Sequence, residues 1–146
     1  MFKKILIVCI GNICRSPTAQ QLLGAALESS GIQVSSAGLA ALRDHPLEAT
    51  AGQVLQEHGH VPQAHKARQL SVEAVSEADL ILVMEQRHID GVLNLAPEAR
   101  GKVFLLGKWQ HEREIKDPYR QGKPAFVQAY ALIDQAAQAW AQRLAR

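Results

Sequence analysis

The first thirty residues constrain the fold most. From Lys3 to Cys9 the chain is apolar and rich in β-branched side chains, enough for a buried strand, while Ala19, Leu22, Leu23, Ala26 and Leu27 fall at helical spacing. Ser29-Ser30-Gly31 ends that pattern with a glycine stop. A strand must therefore turn into a helix, which starts at Pro17, within the few residues after Cys9. The same alternation continues. Ile32 to Ser36 reads as a short strand, and Leu47, Ala51, Val54 and Leu55 mark a second helix closed by Gly59. A short helix near Ser71 to Ser76 precedes the clearest buried strand, Asp79 to Met84, and a helical stretch follows through Leu93. Lys102 to Leu106 supplies a fourth strand. Phe126, Tyr130, Ile133, Ala137, Trp140 and Leu144 share one face of a long last helix, with Pro124 in its first turn. Strands that alternate with helices predict an α/β fold: a single doubly wound domain over residues 1–146, with a four-stranded parallel sheet and helices on both faces. Ligands of such sheets bind at the carboxyl ends of the strands, where the Cys9 turn lies.

Length and composition narrow the function classes. With 146 residues and 47% hydrophobic content the chain can bury a core without disulfides or metal. The net charge is +2 and no basic run exceeds Lys3-Lys4, which argues against a nucleic-acid surface. Ile5 to Ile10 is too short for a signal peptide, and nothing approaches a membrane span. The only two cysteines, Cys9 and Cys14, lie in one loop, which fits a reducing compartment. The expectation is a cytoplasmic monomer with no membrane insertion.

The turn itself reads Val8-Cys9-Ile10-Gly11-Asn12-Ile13-Cys14-Arg15-Ser16-Pro17. A strand-to-helix turn aims backbone N–H groups at an anion, and Arg15 adds a planar fork that fits two phosphate oxygens. A cysteine at its mouth, beside a helix N-terminus and a guanidinium, is favoured as thiolate. Cys9 is thus a candidate nucleophile inside a phosphate cradle of Ile10, Gly11, Asn12, Ile13, Cys14 and Ser16. The alternative is a buried structural cysteine, which needs neither Asn12 nor Arg15 beside it.

Gly107 to Lys123, seventeen residues, is the one long segment without periodicity, and such a loop in a compact domain is usually functional. It contains Asp117-Pro118-Tyr119. A carboxylic acid opposite the thiolate can protonate a leaving alkoxide or phenolate, then deprotonate water for the second displacement. The same tripeptide also suits a simple turn. His58, His60 and His65 lie close together but lack a cysteine or carboxylate set at ligand spacing other than Glu57. His111-Glu112-Arg113-Glu114-Ile115 fails as a zinc-protease motif because position 115 is Ile. No metal and no cofactor are expected.

These residues resemble the low-molecular-weight protein tyrosine phosphatases. The matching stretches are Val8 to Pro17, Ser36-Ala37-Gly38, His65 to Gln69, Asp79 to Glu85 and Asp117-Pro118-Tyr119, spread over nearly the whole chain. The resemblance implies Cys9 as nucleophile, Arg15 as transition-state clamp and Asp117 as general acid then base. It also implies that Asn12, Ser16, Ser36 and His65 form a hydrogen-bonded network around the loop, and that Cys14 traps an oxidised Cys9 as a reversible disulfide. Tyr119 is followed by Arg120 rather than a second tyrosine, and Leu42 stands where vertebrate members have a pocket-wall tryptophan. Both departures point to the bacterial capsule and exopolysaccharide type, with Ile13, Leu42 and Tyr119 walling a slot deep enough for phosphotyrosine. The partner implied by analogy is a bacterial tyrosine kinase of polysaccharide export. Two other readings compete. Arsenate reductase chemistry needs further cysteines, and none follows Cys14. A phosphocarrier or phosphotyrosine-binding module needs no acid such as Asp117.

Overall fold

The structure is a computed structural model that describes residues 2–145. Four parallel strands run in the order β2-β1-β3-β4: β1 Lys4–Cys9, β2 Gln33–Gly38, β3 Leu80–Val83 and β4 Val103–Leu105. The helices are α1 Arg15–Ala26, α2 Ala49–Glu57, α3 Val72–Glu77, α4 Gln86–Leu95 and α5 Lys123–Leu144. This is the doubly wound α/β sheet that the alternating pattern predicts.

Alternation along the central strands separates two cores. Ile5, Ile7 and Cys9 of β1 join Leu80 and Leu82 of β3 on the face covered by α1, α2 and α5. Leu6 and Val8 join Ile81 and Val83 on the face covered by α3 and α4. Ile7 and Leu82 are fully buried, and burial of each such side chain contributes about 1.5–3 kcal/mol. Cys9 therefore ends a strand whose direction is fixed from both sides. The chain leaves β1 toward β2 through α1, then returns across β1 to reach β3, so the loops at the carboxyl ends diverge beside Cys9.

Several boundaries differ from the sequence expectation. Helix α1 starts at Arg15 rather than Pro17, which makes the turn after β1 tighter. Strand β2 extends from Ser36 to Gly38 because Ala37 and Gly38 still pair with Val8 and Cys9. The segment after β4 is less free than its lack of periodicity suggests. Gly107 bridges Arg113, and Ile115 N–H donates to the Met84 carbonyl at 2.9 Å, so the chain is pinned beside the end of β3 just before Asp117. Among the described residues no helix is long and apolar enough to cross a membrane.

Candidate active site

The turn after β1 closes on itself around a pocket of about 150 Å³ lined by residues 9–15 with Leu42, Asp117 and Tyr119. Among the described residues the amide N–H groups of Gly11 to Cys14 donate to no carbonyl or side chain. A run of unpaired amides leading into a helix N-terminus is an anion site in itself. Asn12 makes the closure possible: it sits at φ 59°, a left-handed conformation that asparagine tolerates better than most residues.

The Asn12 side chain is fully committed. Its Nδ2 donates to Ser16 Oγ at 2.7 Å and to Ser36 Oγ at 3.0 Å, while its Oδ1 accepts the Arg68 N–H at 2.9 Å. Ser36 in turn donates to Gln20 Oε1 at 2.6 Å. Ser16 Oγ, which accepts from Asn12, keeps its own proton for a Cys9 thiolate, whose Sγ lies 2.9 Å away. Asn12 sets the directions of its own bonds, and a thiolate at the end of the chain can only accept from the Ser16 hydroxyl. His65 Nε2–H donates to the Asn12 carbonyl at 2.6 Å, which fixes the imidazole tautomer and holds the loop from outside. Ser36 and His65 thus contact the loop rather than the pocket. Gln69 bridges the next layer, accepting from Ala41 N–H and donating to the Leu39 carbonyl, which fixes the segment that carries Leu42.

Arg15 is 2% exposed, an unusual burial for a guanidinium. Its Nη1 donates to Glu85 Oε2 at 2.5 Å and to the Ile115 carbonyl at 2.8 Å. Nε and Nη2 have no hydrogen-bond partner among the described residues, so one edge of the fork is anchored and the other is left for a ligand. Burial opposes ionisation of Glu85, but hydrogen bonds from Arg15 and Arg87 and the Arg15 charge outweigh it and hold the carboxyl below its usual range. Glu85 is the N-cap of α4, where His88 closes a capping box with it.

Asp117 Oδ2 lies 3.9 Å from Arg15 Nη2, and its Oδ1 accepts the Tyr119 N–H at 3.0 Å, the turn that its residue types also favour. Turn geometry and placement at the pocket coexist. Leu42 and Tyr119 are partly exposed at the mouth, and Ile13 lies in its wall. Cys14 is buried, with desolvation first and charges on Cys9 and Asp117 next pushing its thiol up, against Arg15. Both cysteines are free thiols.

The three clustered histidines diverge. His58 stacks on the Tyr130 ring at 4.1 Å, His60 meets the Tyr130 hydroxyl at 3.1 Å, and only His65 reaches the loop. Among the described residues no three His, Cys, Asp or Glu side chains converge as a metal site.

Sequence reading assigned no role to Glu85, Gln20, Arg68 and Gln69, although all but Gln20 lie in the stretches that resemble the family. The first three act across 70, 16 and 56 residues, distances over which no local spacing signals a pair. For Glu85 the hints were a carboxylate directly after the buried β3 run and its place at the end of a stretch that resembles the family.

The family described as low molecular weight phosphotyrosine protein phosphatase matches residues 4–146. The chain is 49% identical over 144 residues to the low molecular weight protein-tyrosine-phosphatase Wzb of Salmonella typhimurium, covering 99% of this chain and 95% of the relative. Its fold is similar to the crystal structure of the Erwinia amylovora tyrosine phosphatase AmsI, with a TM-score of 0.95, 46% identity and coverage of 100% and 95%. It is also similar to Vibrio vulnificus Wzb in complex with benzylphosphonate, with a TM-score of 0.94, 48% identity and coverage of 98% and 99%.

Proposed function

The chain belongs to the low molecular weight phosphotyrosine protein phosphatases, a family of phosphoric monoester hydrolases, and on that premise we propose that residues 1–146 act as one domain hydrolysing phosphotyrosine through a phosphocysteine at Cys9. The observation that carries this reading is the convergence, in one pocket, of the Cys9 sulfur, the unpaired loop amides, the free edge of Arg15 and the Asp117 carboxyl.

In the first step the Cys9 thiolate attacks phosphorus, an S–P bond forms and the P–O bond to the tyrosyl oxygen breaks. Asp117, protonated, gives its proton to the departing phenolate oxygen. The amides of residues 11–14 with Nε and Nη2 of Arg15 hold the non-bridging oxygens as charge redistributes over them, already oriented before the ligand arrives. In the second step Asp117, now a carboxylate, takes a proton from water as that water attacks phosphorus. The S–P bond breaks, and the Ser16 hydroxyl, aimed at the sulfur, stabilises the departing thiolate. Ile13, Leu42 and Tyr119 form a wall that suits a flat aryl group whose phosphate must reach the pocket floor. The benzylphosphonate held by the Vibrio vulnificus relative has that aryl-and-anion shape, which supports an aryl phosphate here. The protein substrate that we infer, by analogy with the bacterial capsule and exopolysaccharide type alone, is an autophosphorylated bacterial tyrosine kinase of polysaccharide export, met by this chain in the cytoplasm.

The test is p-nitrophenol release from p-nitrophenyl phosphate in excess chelator, comparing wild type with Cys9→Ser. Many turnovers by wild type and none by the variant support the reading. One equivalent of phosphate and no more identifies a phosphocarrier, and an active Cys9→Ser protein places the chemistry elsewhere.

A further inference from the structure

Arg15 can serve two phosphoryl oxygens only while the anchored edge of its guanidinium keeps its orientation, and that edge rests on Glu85 Oε2 and the Ile115 carbonyl. The carbonyl is fixed because the Ile115 amide is pinned to Met84. The carboxylate is held less obviously. Arg87 Nε reaches Glu85 Oε1 at 3.1 Å, but Arg87 is solvent-exposed and its side chain has freedom to leave.

His88 is the other contact, and its side chain is fully buried. Its Nδ1 accepts the Glu85 N–H at 3.2 Å, which leaves the ring proton of the neutral imidazole on Nε2. Nε2 has no hydrogen-bond partner among the described residues and lies 3.5 Å from Glu85 Oε2, the same oxygen that receives Arg15. One imidazole thus bonds the backbone of the residue that orients the clamp and faces its carboxylate at 3.5 Å. The capping bond accounts for Nδ1, whereas the buried Nε2–H, costly to leave unpaired, has Glu85 Oε2 as the acceptor within reach.

We propose that His88 is a positioning residue for catalysis, acting through Glu85 to fix the rotation of the Arg15 fork toward the phosphoryl group. The inference rests on the phosphatase reading of the Cys9 pocket. Burial pushes the imidazole down to about 4, with the Arg15 charge acting in the same direction, so the ring is neutral at working pH and does not compete with Arg15 for charge.

The experiment compares p-nitrophenyl phosphate turnover and vanadate inhibition in wild type, His88→Leu, His88→Gln and Glu85→Gln. His88→Leu removes both contacts, and kcat falls about tenfold or more with vanadate affinity falling in parallel and KM little changed. Gln carries an acceptor and a donor on one terminal carbon, as the imidazole does, so His88→Gln recovers most of the loss. Combining His88→Leu with Glu85→Gln is no worse than the poorer single variant, because both act through one contact. Where His88→Leu does not fold, His88→Asn replaces it: it keeps an acceptor for the Glu85 N–H and stops short of the carboxylate. A folded Leu or Asn variant with wild-type kcat, a Gln variant no better than Leu, or additive losses in the double variant overturns the proposal. Absence of turnover in wild type instead strikes the phosphatase reading, so the two failures are distinguishable.

Discussion

Gly38 is where a single methyl group reaches the chemistry. It ends β2 against the phosphate loop, and a Cβ added there stands 2.4 Å from the Ile10 carbonyl oxygen, 3.1 Å from Asn12 Cβ and 3.2 Å from Ala41 Cα. Carbon and oxygen need roughly 1 Å more than the first of these distances. The glycine cannot back away: its N–H donates to the Arg68 carbonyl at 2.9 Å and its carbonyl accepts the Leu70 N–H at 2.8 Å. The loop must therefore move instead. Its Ile10 carbonyl, held by the Ala40 N–H at 2.9 Å, is one residue from Cys9. Overpacking of this kind costs about 1–3 kcal/mol, which in a chain of this size lowers Tm by about 3–10 °C. A displacement near 1 Å of the anion-holding amides lowers kcat/KM by about 100-fold. Thermal melting and p-nitrophenyl phosphate turnover of Gly38→Ala read both quantities. Gly24→Ala is the control, since a Cβ on that helical glycine meets nothing within 4 Å and adding it stabilises α1 by about 0.5–1 kcal/mol. A folded Gly38→Ala protein with turnover within threefold of wild type would falsify the close-approach argument.

Three other outcomes are expected. Because His88 is depressed from its ordinary 6.5 to about 4, the unfolded chain binds a proton in that window that the folded chain does not, so stability falls as pH drops through it, by about 2 kcal/mol at pH 5; urea midpoints at pH 7.5 and 5 should differ less in His88→Gln, and equal differences refute this. Glu85 is depressed too, but its stabilisation is lost only as pH falls below the ordinary carboxylate range, outside that interval. Asp117→Asn should slow phenyl phosphate hydrolysis at least tenfold more than p-nitrophenyl phosphate hydrolysis, because the poorer leaving group depends on the acid; equal slowing removes Asp117 from that role. Burial keeps Cys14 protonated at neutral pH, so iodoacetate should label one thiol per chain, at Cys9, and phosphate should protect it; labelling that persists in Cys9→Ser contradicts the assignment.

What the sequence disclosed and what it hid divide along a physical line. The strand, turn and helix around Cys9 are local, written in consecutive residues, and the parallel sheet follows from the alternation of strands and helices, whereas the strand order is seen only in the structure. The place of Asp117 at the pocket was legible because a long loop without periodicity in a compact domain is usually functional. Glu85 was not, since its significance lies in a contact with Arg15 seventy residues away, and no periodicity records such a pairing. Arg68 contributes a backbone amide to Asn12, a role that its side chain cannot announce. The early start of α1 was missed because Arg15 and Ser16 are not apolar, although both keep the helical spacing of the residues that follow.

The commitment of the Asn12 amide has a consequence for the order in which the molecule becomes competent. Its partners come from α1, from β2 and from residue 68, segments that meet only after the parallel pairing of β1 with β2 and the closing of a long stretch of chain. A partly folded chain lacks the donor on the Cys9 sulfur and a closed ring of amides, even though both lie within a single short run of sequence. Phosphate is then a ligand of the completed fold alone, and at concentrations above its dissociation constant it draws the folding equilibrium toward the native state.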